Sequence, residues 1–207
     1  MESIINHFNF ISGGYLPLTG LDEENTDNLV RMGVVNRPSQ EMRSAGMARD
    51  WPLNRGLYYN ANDDTFVCLN NRDHIHLCAK QEGADIQGAY FRYCKAMNEI
   101  RSQLKFDGHE FMYSERLGYI STCPSDLGTG MRASVHIKLP ALCENRDYLD
   151  SLCDAYKLQV RGTGGIDTPI EDNICDISNI ERLGVGENDL IINVSIRSHI
   201  LEMIETI

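Results

Sequence analysis

The sequence predicts an α+β fold in which an antiparallel β-sheet is flanked by helices. Two observations lead to this prediction. Short segments typical of strands come in pairs separated by polar turns, and helical segments stand between the groups of strands. The βαβ rhythm of a parallel sheet is therefore missing. With 207 residues, of which 42% are hydrophobic, the chain is long enough for one good core or two small domains.

The first half of the chain is predicted to hold one short helix and three strands. Thr19 or Asp22 can cap a helix that ends near Met32, because either side chain accepts a hydrogen bond from a free N–H group of the first turn. Residues 33–55 show no clear period and are expected to be irregular. Strands are predicted at residues 57–59, 65–69 and 75–79, with the polar turn 60–63 joining the first two.

The second half is predicted to hold the longest helix and the remaining strands. Apolar residues recur at helical spacing over residues 83–104, and a closing helix is predicted from about 187 to 204. Asn145 is placed to cap a further helix. Strands are predicted at residues 118–121, 133–139, 157–161 and 174–178. The second of these alternates polar and apolar residues, so it is expected to have one polar face that carries Ser134, His136 and Lys138.

The composition argues against several classes of function. A formal net charge of −11 disfavours phosphate backbones and anionic membrane surfaces, so neither a nucleic acid nor a membrane is expected as a partner. No apolar run approaches the ~20 residues of a transmembrane helix, and the N-terminus lacks the basic start of a signal peptide. The seven cysteines form no CxxC pair, which is typical of free thiols in a reducing cytoplasm, and most of them are expected to be buried.

The most informative stretch is residues 123–140, which read Cys-Pro-Ser-Asp-Leu-Gly-Thr-Gly-Met-Arg-Ala-Ser-Val-His-Ile-Lys-Leu-Pro. It places the thiol of Cys123, a glycine-rich turn and Arg132 directly before an alternating strand. Glycines let the backbone approach a ligand closely, and arginine offers planar, permanently charged donors. The stretch therefore predicts an anion site above a sheet.

This stretch closely resembles the signature of the phosphagen (guanidino) kinases, the family of the arginine and creatine kinases. Further segments resemble the family in the same order, namely Tyr-Leu-Pro-Leu-Thr-Gly at 15–20, Trp-Pro-Leu-Asn-Arg-Gly-Leu-Tyr at 51–58, Met-Asn-Glu-Ile at 97–100, Arg-Leu-Gly-Tyr at 116–119, Gln-Val-Arg-Gly-Thr at 159–163 and Asp-Ile-Ser-Asn at 176–179. The resemblance implies the family's glutamine-synthetase-like catalytic fold as one domain over residues 15–207, preceded by an extension over residues 1–14. It also implies that the family's N-terminal domain and the first strand of its sheet are absent from this chain.

The resemblance implies transfer of phosphate between Mg-ATP and a guanidino compound, a reaction that depends on positioning and on arginines around the phosphates. Arg132 and Arg161 match two of these arginines, and they are expected either to contact nucleotide phosphates or to pair with acidic side chains of the chain itself. His76 stands where the family has a third arginine, and Tyr59 stands where a family histidine packs on adenine. His136 is expected to line the same cleft. Mg-ATP or Mg-ADP is the only cofactor implied, and no metal site is predicted.

The carboxylates that the resemblance would place around the guanidino group are missing. Two adjacent family glutamates, one supporting magnesium and the other acting as base, correspond to Asn71 and Arg72, so the local charge changes from negative to positive. A carboxylate of the mobile loop corresponds to Ile166, although creatine kinases also lack it. Cys123 matches the active-site cysteine, but a thiolate needs positive neighbours, so we interpret Cys123 as a vestigial, buried thiol. Asp126 replaces an asparagine of the signature and adds negative charge.

The sequence therefore predicts a catalytically impaired arginine or creatine kinase-like domain that is a structural or interaction subunit of a larger protein assembly. The family's sites of high ATP use imply a cytoplasmic location in a cytoskeletal or flagellar setting, and no guanidino small molecule is expected as a ligand. Two alternatives remain open, namely an active or split phosphagen kinase and a nucleotide-binding sensor without catalysis. Arg72 discriminates against the active enzyme, because no strand supplied by a partner restores that carboxylate. The sheet edge left by the missing strand is expected to be covered by residues 4–11 or by a partner strand.

Overall fold

A computed structural model of the chain describes residues 14–60, 64–163 and 168–206. These residues form two compact units, which divide between Met112 and Tyr113. We call them the N-terminal unit and the C-terminal unit. Residues 1–13 of the predicted extension, residues 61–63 of the predicted turn and the loop residue Ile166 lie outside the described residues.

The N-terminal unit contains three helices and a four-stranded antiparallel sheet with the order β1-β2-β3-β4. The strands are β1 (Tyr15–Pro17), β2 (Gly56–Asn60), β3 (Thr65–Leu69) and β4 (Ile75–Ala79), and the helices are α1 (Glu23–Arg31), α2 (Gln40–Ser44) and α3 (Ile86–Phe106). Asp22 caps α1, because its Oδ1 accepts a hydrogen bond from the backbone N of Asn25 at 2.8 Å. Of the two caps that the sequence offered, Asp22 is therefore the one used.

Both faces of this sheet are covered, which explains why β3 is buried along its whole length. One face packs against α3 through a cluster of Tyr58, Val67, Leu69, Ile100 and Leu104. The other face packs against the segment after α1 through Leu18, Val34, Val35, Leu57, Phe66 and Cys68. A strand buried on both faces reads as a continuous apolar run rather than an alternating one, and the sequence of β3 fits that rule.

The C-terminal unit contains a two-stranded hairpin and a three-stranded antiparallel sheet with the order β7-β9-β8. The strands are β5 (Tyr113–Ser114), β6 (Gly118–Tyr119), β7 (Ser134–Lys138), β8 (Leu158–Gly162) and β9 (Ile174–Asn179), and the helices are α4 (Pro140–Glu144), α5 (Arg146–Ala155) and α6 (Glu187–Glu205). Helix α6 packs on β7 and β9, and α5 packs on β8. The buried Ile177 at the centre of β9 pairs with Val135 and Val160, so these three residues form the apolar face of the sheet.

The predicted fold class is confirmed, since the structure has antiparallel sheets flanked by helices. Two short helices, α2 and α4, and two short strands, β1 and β5, are differences from the expectation. The region 33–55 contains α2, whose first turn is capped by Ser39, and α4 precedes the helix that Asn145 caps. Each has only five residues, too few to show a helical period. None of the described helices is long and apolar enough to cross a membrane.

The cysteines are less buried than the composition suggests. All seven are free thiols, three of them buried and four partly buried. Burial raises the pKa of the Cys68 thiol from 9.0 to about 12 and that of Cys153 to about 11. These two thiols are therefore small apolar side chains at neutral pH.

Candidate functional site

The C-terminal unit presents a polar face on its three-stranded sheet, opposite the face that packs against the helices. Strand pairing aligns two rows of polar residues across β7, β9 and β8. One row is Ser134, Ser178 and Gln159, and the other is His136, Asp176 and Arg161. Residues directly opposite one another in antiparallel strands lie on the same face. The sheet register therefore brings Arg161 and His136, two of the predicted site residues, to either side of one carboxylate.

Arg132 reaches the same carboxylate from the loop before β7. Its Nη2 lies 2.7 Å from Asp176 Oδ2, and its Nη1 donates to Ser134 Oγ at 3.1 Å. The Arg132 side chain is 32% exposed while that of Asp176 is 8% exposed. The sequence left two roles open for Arg132, contact with a nucleotide phosphate and pairing with an acidic side chain. In the structure, Arg132 is paired with Asp176. One edge of the guanidinium stays accessible to solvent.

Two polar atoms on this face have no hydrogen-bond partner within the described parts of the chain, namely Asp176 Oδ1 and Ser178 Oγ. His136 Nε2 lies 4.0 Å from Asp176 Oδ1, beyond hydrogen-bonding distance. Arg161 Nη2 donates to Gln159 Oε1 at 2.5 Å. Buried polar atoms in native proteins are normally paired with protein or water. The face therefore has unused capacity to hold a polar group.

The glycine-rich turn is shaped by contacts within the chain. Gly128 has a positive φ of 106°, and a Cβ there would lie 2.1 Å from the carbonyl oxygen of Arg182. The next residue, Thr129, donates its backbone N–H to that same oxygen at 2.9 Å. Only glycine fits such an approach. In this structure, the close approach of the Arg182 backbone thus explains why residue 128 is a glycine, a residue that the sequence analysis associated with a ligand.

Asn179 fixes the segment that carries Arg132. Its Oδ1 accepts from Ala133 N at 2.8 Å, and its Nδ2 donates to the carbonyl oxygens of Met131 and Glu181. Asn179 is 4% exposed. The backbone on either side of Arg132 is therefore held to the end of β9. The sequence pattern had marked Asn179 only as part of the Asp-Ile-Ser-Asn segment.

Cys123 lies at the start of a 3₁₀ turn, Pro124–Asp126, and its Sγ is 3.0 Å from Ser125 Oγ. The thiol is partly buried, whereas the sequence interpretation expected a buried one. Asp126 forms an ion pair with Arg182 at 3.2 Å, and both side chains are largely buried. The negative charge that Asp126 adds to the signature is therefore neutralised by a neighbour.

In the N-terminal unit, Asn71 is a fully buried tether. It directly follows β3 and is 0% exposed. Its Oδ1 accepts from the backbone N and the side-chain Nδ2 of Asn36 at 2.8 and 3.2 Å, and its own Nδ2 donates to Asn36 O at 2.9 Å. Both the oxygen and the nitrogen of its side-chain amide thus bond to Asn36, a residue 35 positions away. The side chain at this position holds two loops together.

The other predicted residues of the N-terminal unit lie on β2, on β4 and in the loop between β3 and β4. Arg72 and Asp73 are partly buried in the loop between β3 and β4. Tyr59 and His76 lie on the same face of the sheet, because Tyr59 pairs with Phe66 and His76 pairs with Cys68. The Tyr59 ring stacks on Phe66 at a centroid distance of 4.8 Å and is 36% exposed.

The structure thus brings together Arg132, Arg161 and His136 in the C-terminal unit, around a carboxylate that was not among the predicted site residues. Asp176 could have been found from the sequence, since Asp176 and Ser178 alternate with apolar residues along β9. The role of Asn36 left no such signal, because its partner is distant in sequence. Among the described residues, no group of three or more His, Cys, Asp or Glu side chains is arranged to hold a metal ion.

Comparison with known proteins extends the resemblance over the whole chain. The family model of the ATP:guanido phosphotransferase C-terminal catalytic domain matches residues 1–206. A flagellar creatine kinase of Strongylocentrotus purpuratus is 42% identical over 179 residues, which are 86% of this chain and 15% of that protein. The M-type creatine kinase of Gallus gallus is 39% identical over 177 residues, which are 84% of this chain and 46% of that protein. The chain thus spans less than half the length of these relatives.

Comparison with solved structures also finds phosphotransferases of this kind. A lombricine kinase superposes with a TM-score of 0.87 at 32% identity, covering 99% of this chain and 57% of that one. The duplicated taurocyamine kinase of Schistosoma mansoni, solved with bound transition-state-analogue components, gives a TM-score of 0.86 at 33% identity and covers 99% of this chain and 28% of that one. The collinear motifs, the antiparallel sheets and these matches have one explanation: the chain belongs to the ATP:guanido phosphotransferase family and corresponds to its C-terminal catalytic domain.

Proposed function

We propose that this chain is a catalytically impaired member of its family that is a structural or interaction subunit of a larger protein assembly. The observation that carries the proposal is the state of Asn71. A residue that is 0% exposed, with the oxygen and the nitrogen of its amide both bonded to Asn36, offers no accessible group to a substrate or to magnesium. Both roles that the resemblance assigns to the two adjacent carboxylates, support of magnesium and acceptance of a proton, require an accessible carboxylate, and a buried carboxamide is not one.

Arg72 adds an electrostatic reason. The resemblance places a guanidinium-binding carboxylate at this position, and the chain has a permanent cation there instead. Two unit charges ~4 Å apart interact by ~1 kcal/mol in water and ~4 kcal/mol near a protein surface. The exchange of an attraction for a repulsion of that size weakens the binding of any cationic guanidino compound. A guanidino substrate is therefore not expected for this chain.

The interaction half of the proposal is supported by helix α6. Its inner face is buried through Leu190, Ile191, Val194 and Leu201. Its outer face carries Ile192, Ile196 and Met203, which are 51%, 57% and 57% exposed. Exposed apolar stripes of this kind are typical of protein contact surfaces. The name of the flagellar relative supports a cytoskeletal or flagellar setting in the cytoplasm.

The impairment is tested by phosphate transfer from Mg-ATP to creatine, arginine, taurocyamine and lombricine. The wild-type chain is expected to give no transfer above background with any of them. The R72E variant should bind a guanidino compound at least about fivefold more tightly than wild type, because it removes a like charge. It should still transfer no phosphate, since Asn71 is unchanged. R101E makes the same charge change at an exposed site on α3 and is the matched control. Turnover by the wild-type chain would end the proposal.

The interaction role is tested by the size at which the native protein sediments in a cell extract. The chain has a mass of 23.4 kDa, and we expect it in a much larger particle. An I192E/I196E variant should sediment as the isolated chain, whereas K105E, an exposed change on α3, should behave as wild type. A wild-type protein that sediments as a monomer would contradict the role.

A second candidate function is nucleotide binding without catalysis. It is favoured by the polar face of the C-terminal unit, where the register of the sheet brings together Arg132, Arg161 and His136, whose side chains can donate to phosphate oxygens. Calorimetry with Mg-ADP separates the candidates. Micromolar binding that is lost in R132A supports a sensor, and no binding at millimolar nucleotide supports a purely structural subunit. An active or split kinase requires the turnover that the first experiment measures.

A further inference from the structure

Two free thiols of the C-terminal unit lie almost in contact. Cys143 Sγ is 3.4 Å from Cys175 Sγ. Cys143 lies in α4 and Cys175 in β9, on the face of the strand opposite Asp176. A disulfide bond has an S–S length of about 2.05 Å, so the two sulfur atoms need to approach by only about 1.4 Å. No other feature of the candidate site uses either thiol.

The fold holds the two thiols in this arrangement from several sides. Leu139 donates its backbone N–H to Asn173 O at 2.9 Å, which joins the chain just before α4 to the chain just before β9. The first turn of α4 is held by the carboxylate of Glu205, which accepts from the backbone N–H groups of Ala141 and Leu142 at 2.6 and 2.9 Å. The proximity of the thiols is therefore a property of the packed unit and not of one flexible side chain.

The two thiols differ in accessibility. Cys143 is partly buried, and Cys175 is 0% exposed. Burial raises the pKa of Cys175 to about 12, while the guanidinium of Arg146 acts in the opposite direction. An oxidant from solvent therefore meets Cys143 first, and Cys175 is positioned behind it to react with the product. This is the usual arrangement of an accessible thiol beside a resolving one.

We propose that Cys143 and Cys175 form a reversible disulfide bond when the folded protein meets a hydroperoxide. The Cys143 sulfur attacks the outer oxygen of the hydroperoxide, the O–O bond breaks, and Cys143 becomes a sulfenic acid while the hydroperoxide is reduced to an alcohol or to water. The Cys175 sulfur then attacks the sulfur of Cys143, the S–O bond breaks, and one water leaves. Overall, two thiols lose two electrons and two protons, and a dithiol reductant reverses the change.

The bond closes a loop of about 33 residues around β8 and α5. In the chain-entropy description, a cross-link of that length stabilises the native state by about 3.7 kcal/mol, and for a chain of this size the expected rise in Tm is about 7–15 °C. The oxidised protein should therefore be more heat-resistant than the reduced one. The effect requires no catalytic activity and stands apart from the proposed function.

The test treats the folded, fully reduced chain with hydrogen peroxide, blocks the remaining thiols and digests it with trypsin without reduction. Cleavage after Lys138, Arg146, Lys157, Arg161 and Arg182 puts Cys143, Cys153 and Cys175 on three separate peptides. We expect a linked pair of peptides 139–146 and 162–182, two hydrogen masses lighter than the two thiol peptides together, which dithiothreitol separates. The Tm of the oxidised wild type should rise as stated.

Two variants complete the test. C143S, at a partly buried position, should lose both the linked peptide and the rise in Tm, with Cys175 left as a free thiol. C94S removes a partly buried thiol of the N-terminal unit and should behave as wild type. The proposal is overturned if peroxide oxidises Cys143 without linking it to Cys175. It is also overturned if the link forms only in denaturant, or if C143S gains the same heat resistance.

Discussion

Replacing Asn71 with glutamate should destabilise the chain by about 3–5 kcal/mol rather than restore a working carboxylate. Asn71 is 0% exposed and makes three hydrogen bonds with Asn36. Glutamate adds a methylene to a filled site, which costs about 1–3 kcal/mol. It also removes the donor to Asn36 O, and a buried acceptor left without a partner costs about 1–3 kcal/mol. The buried charge raises the total further, although the two donors of Asn36 offset part of that term.

Two matched variants separate these terms. N71Q keeps the amide and adds only the methylene, so it should show the packing cost alone. N71D keeps the size, removes the donor to Asn36 O and adds a buried carboxylate, so it should show these two terms without the packing cost. N71Q is expected to lower the free energy of unfolding by about 1–3 kcal/mol and N71D by at least as much, and N71E should exceed both. An isolated buried glutamate also prefers its neutral form, so the penalty of N71E should shrink as pH falls from 8 to 5.

The assay is equilibrium unfolding in urea, with the midpoint and the m-value determined for each variant. A change of midpoint at constant m reports a change in stability. If N71E lies within 1 kcal/mol of wild type at pH 8, Asn71 is not the tether that we describe. The main support for the impaired function would then fall, because the site would accept a carboxylate.

Three further changes test other parts of the molecule. D176N should lower the free energy of unfolding by about 1–3 kcal/mol, because it breaks the ion pair with Arg132. The same variant should bind phosphate about fivefold more tightly in calorimetry. An unchanged affinity would mean that Arg132 faces no anion. R55L should lower the free energy of unfolding in urea by at least about 3 kcal/mol, because Arg55 is 9% exposed and donates five hydrogen bonds to backbone carbonyls. A decrease below 1 kcal/mol would refute its structural role. The folded-state pKa of Cys68 is raised from 9.0 to about 12, so its contribution to stability is full below pH 9 and is lost as pH rises toward 12. Stability measured from pH 9 to 11 should fall more steeply for wild type than for C68A, by up to about 1.4 kcal/mol per pH unit, and equal slopes would show that burial does not hold the thiol neutral.

The secondary structure that the sequence predicts well is the part that local chemistry determines. The bounds of β4 agree with the prediction at both ends, because polar residues flank a short apolar run. The caps Asp22 and Asn145 were found since a side-chain oxygen at the start of a helix acts within four residues. Where the elements are shorter than two helical turns, as in α2 and α4, local patterns carry too little information.

The arrangement of the site was harder to predict, and the reason is again physical. The resemblance implies that Asn71 stands in place of a carboxylate, but only the fold reveals that Asn36, from a distant loop, bonds to both ends of its side-chain amide. Likewise, the sequence associates the glycines of the signature with a ligand, and the fold instead brings the backbone of Arg182 against Gly128. Long-range contacts of this kind leave no mark in composition or spacing.

The two units hold their predicted site residues in different surroundings. This difference bears separately on phosphate transfer and on anion binding. In the N-terminal unit, Asn71 is part of the packed interior, and we expect its replacement by glutamate to lower the stability. In the C-terminal unit, Arg132 remains one-third exposed and rests on a carboxylate that still has an unsatisfied oxygen. A phosphate that reached Arg132 would compete with one ion pair, whereas a substrate that needed position 71 would have to displace a buried network. Loss of phosphate transfer therefore requires no loss of anion affinity, and the two should be measured separately in every variant.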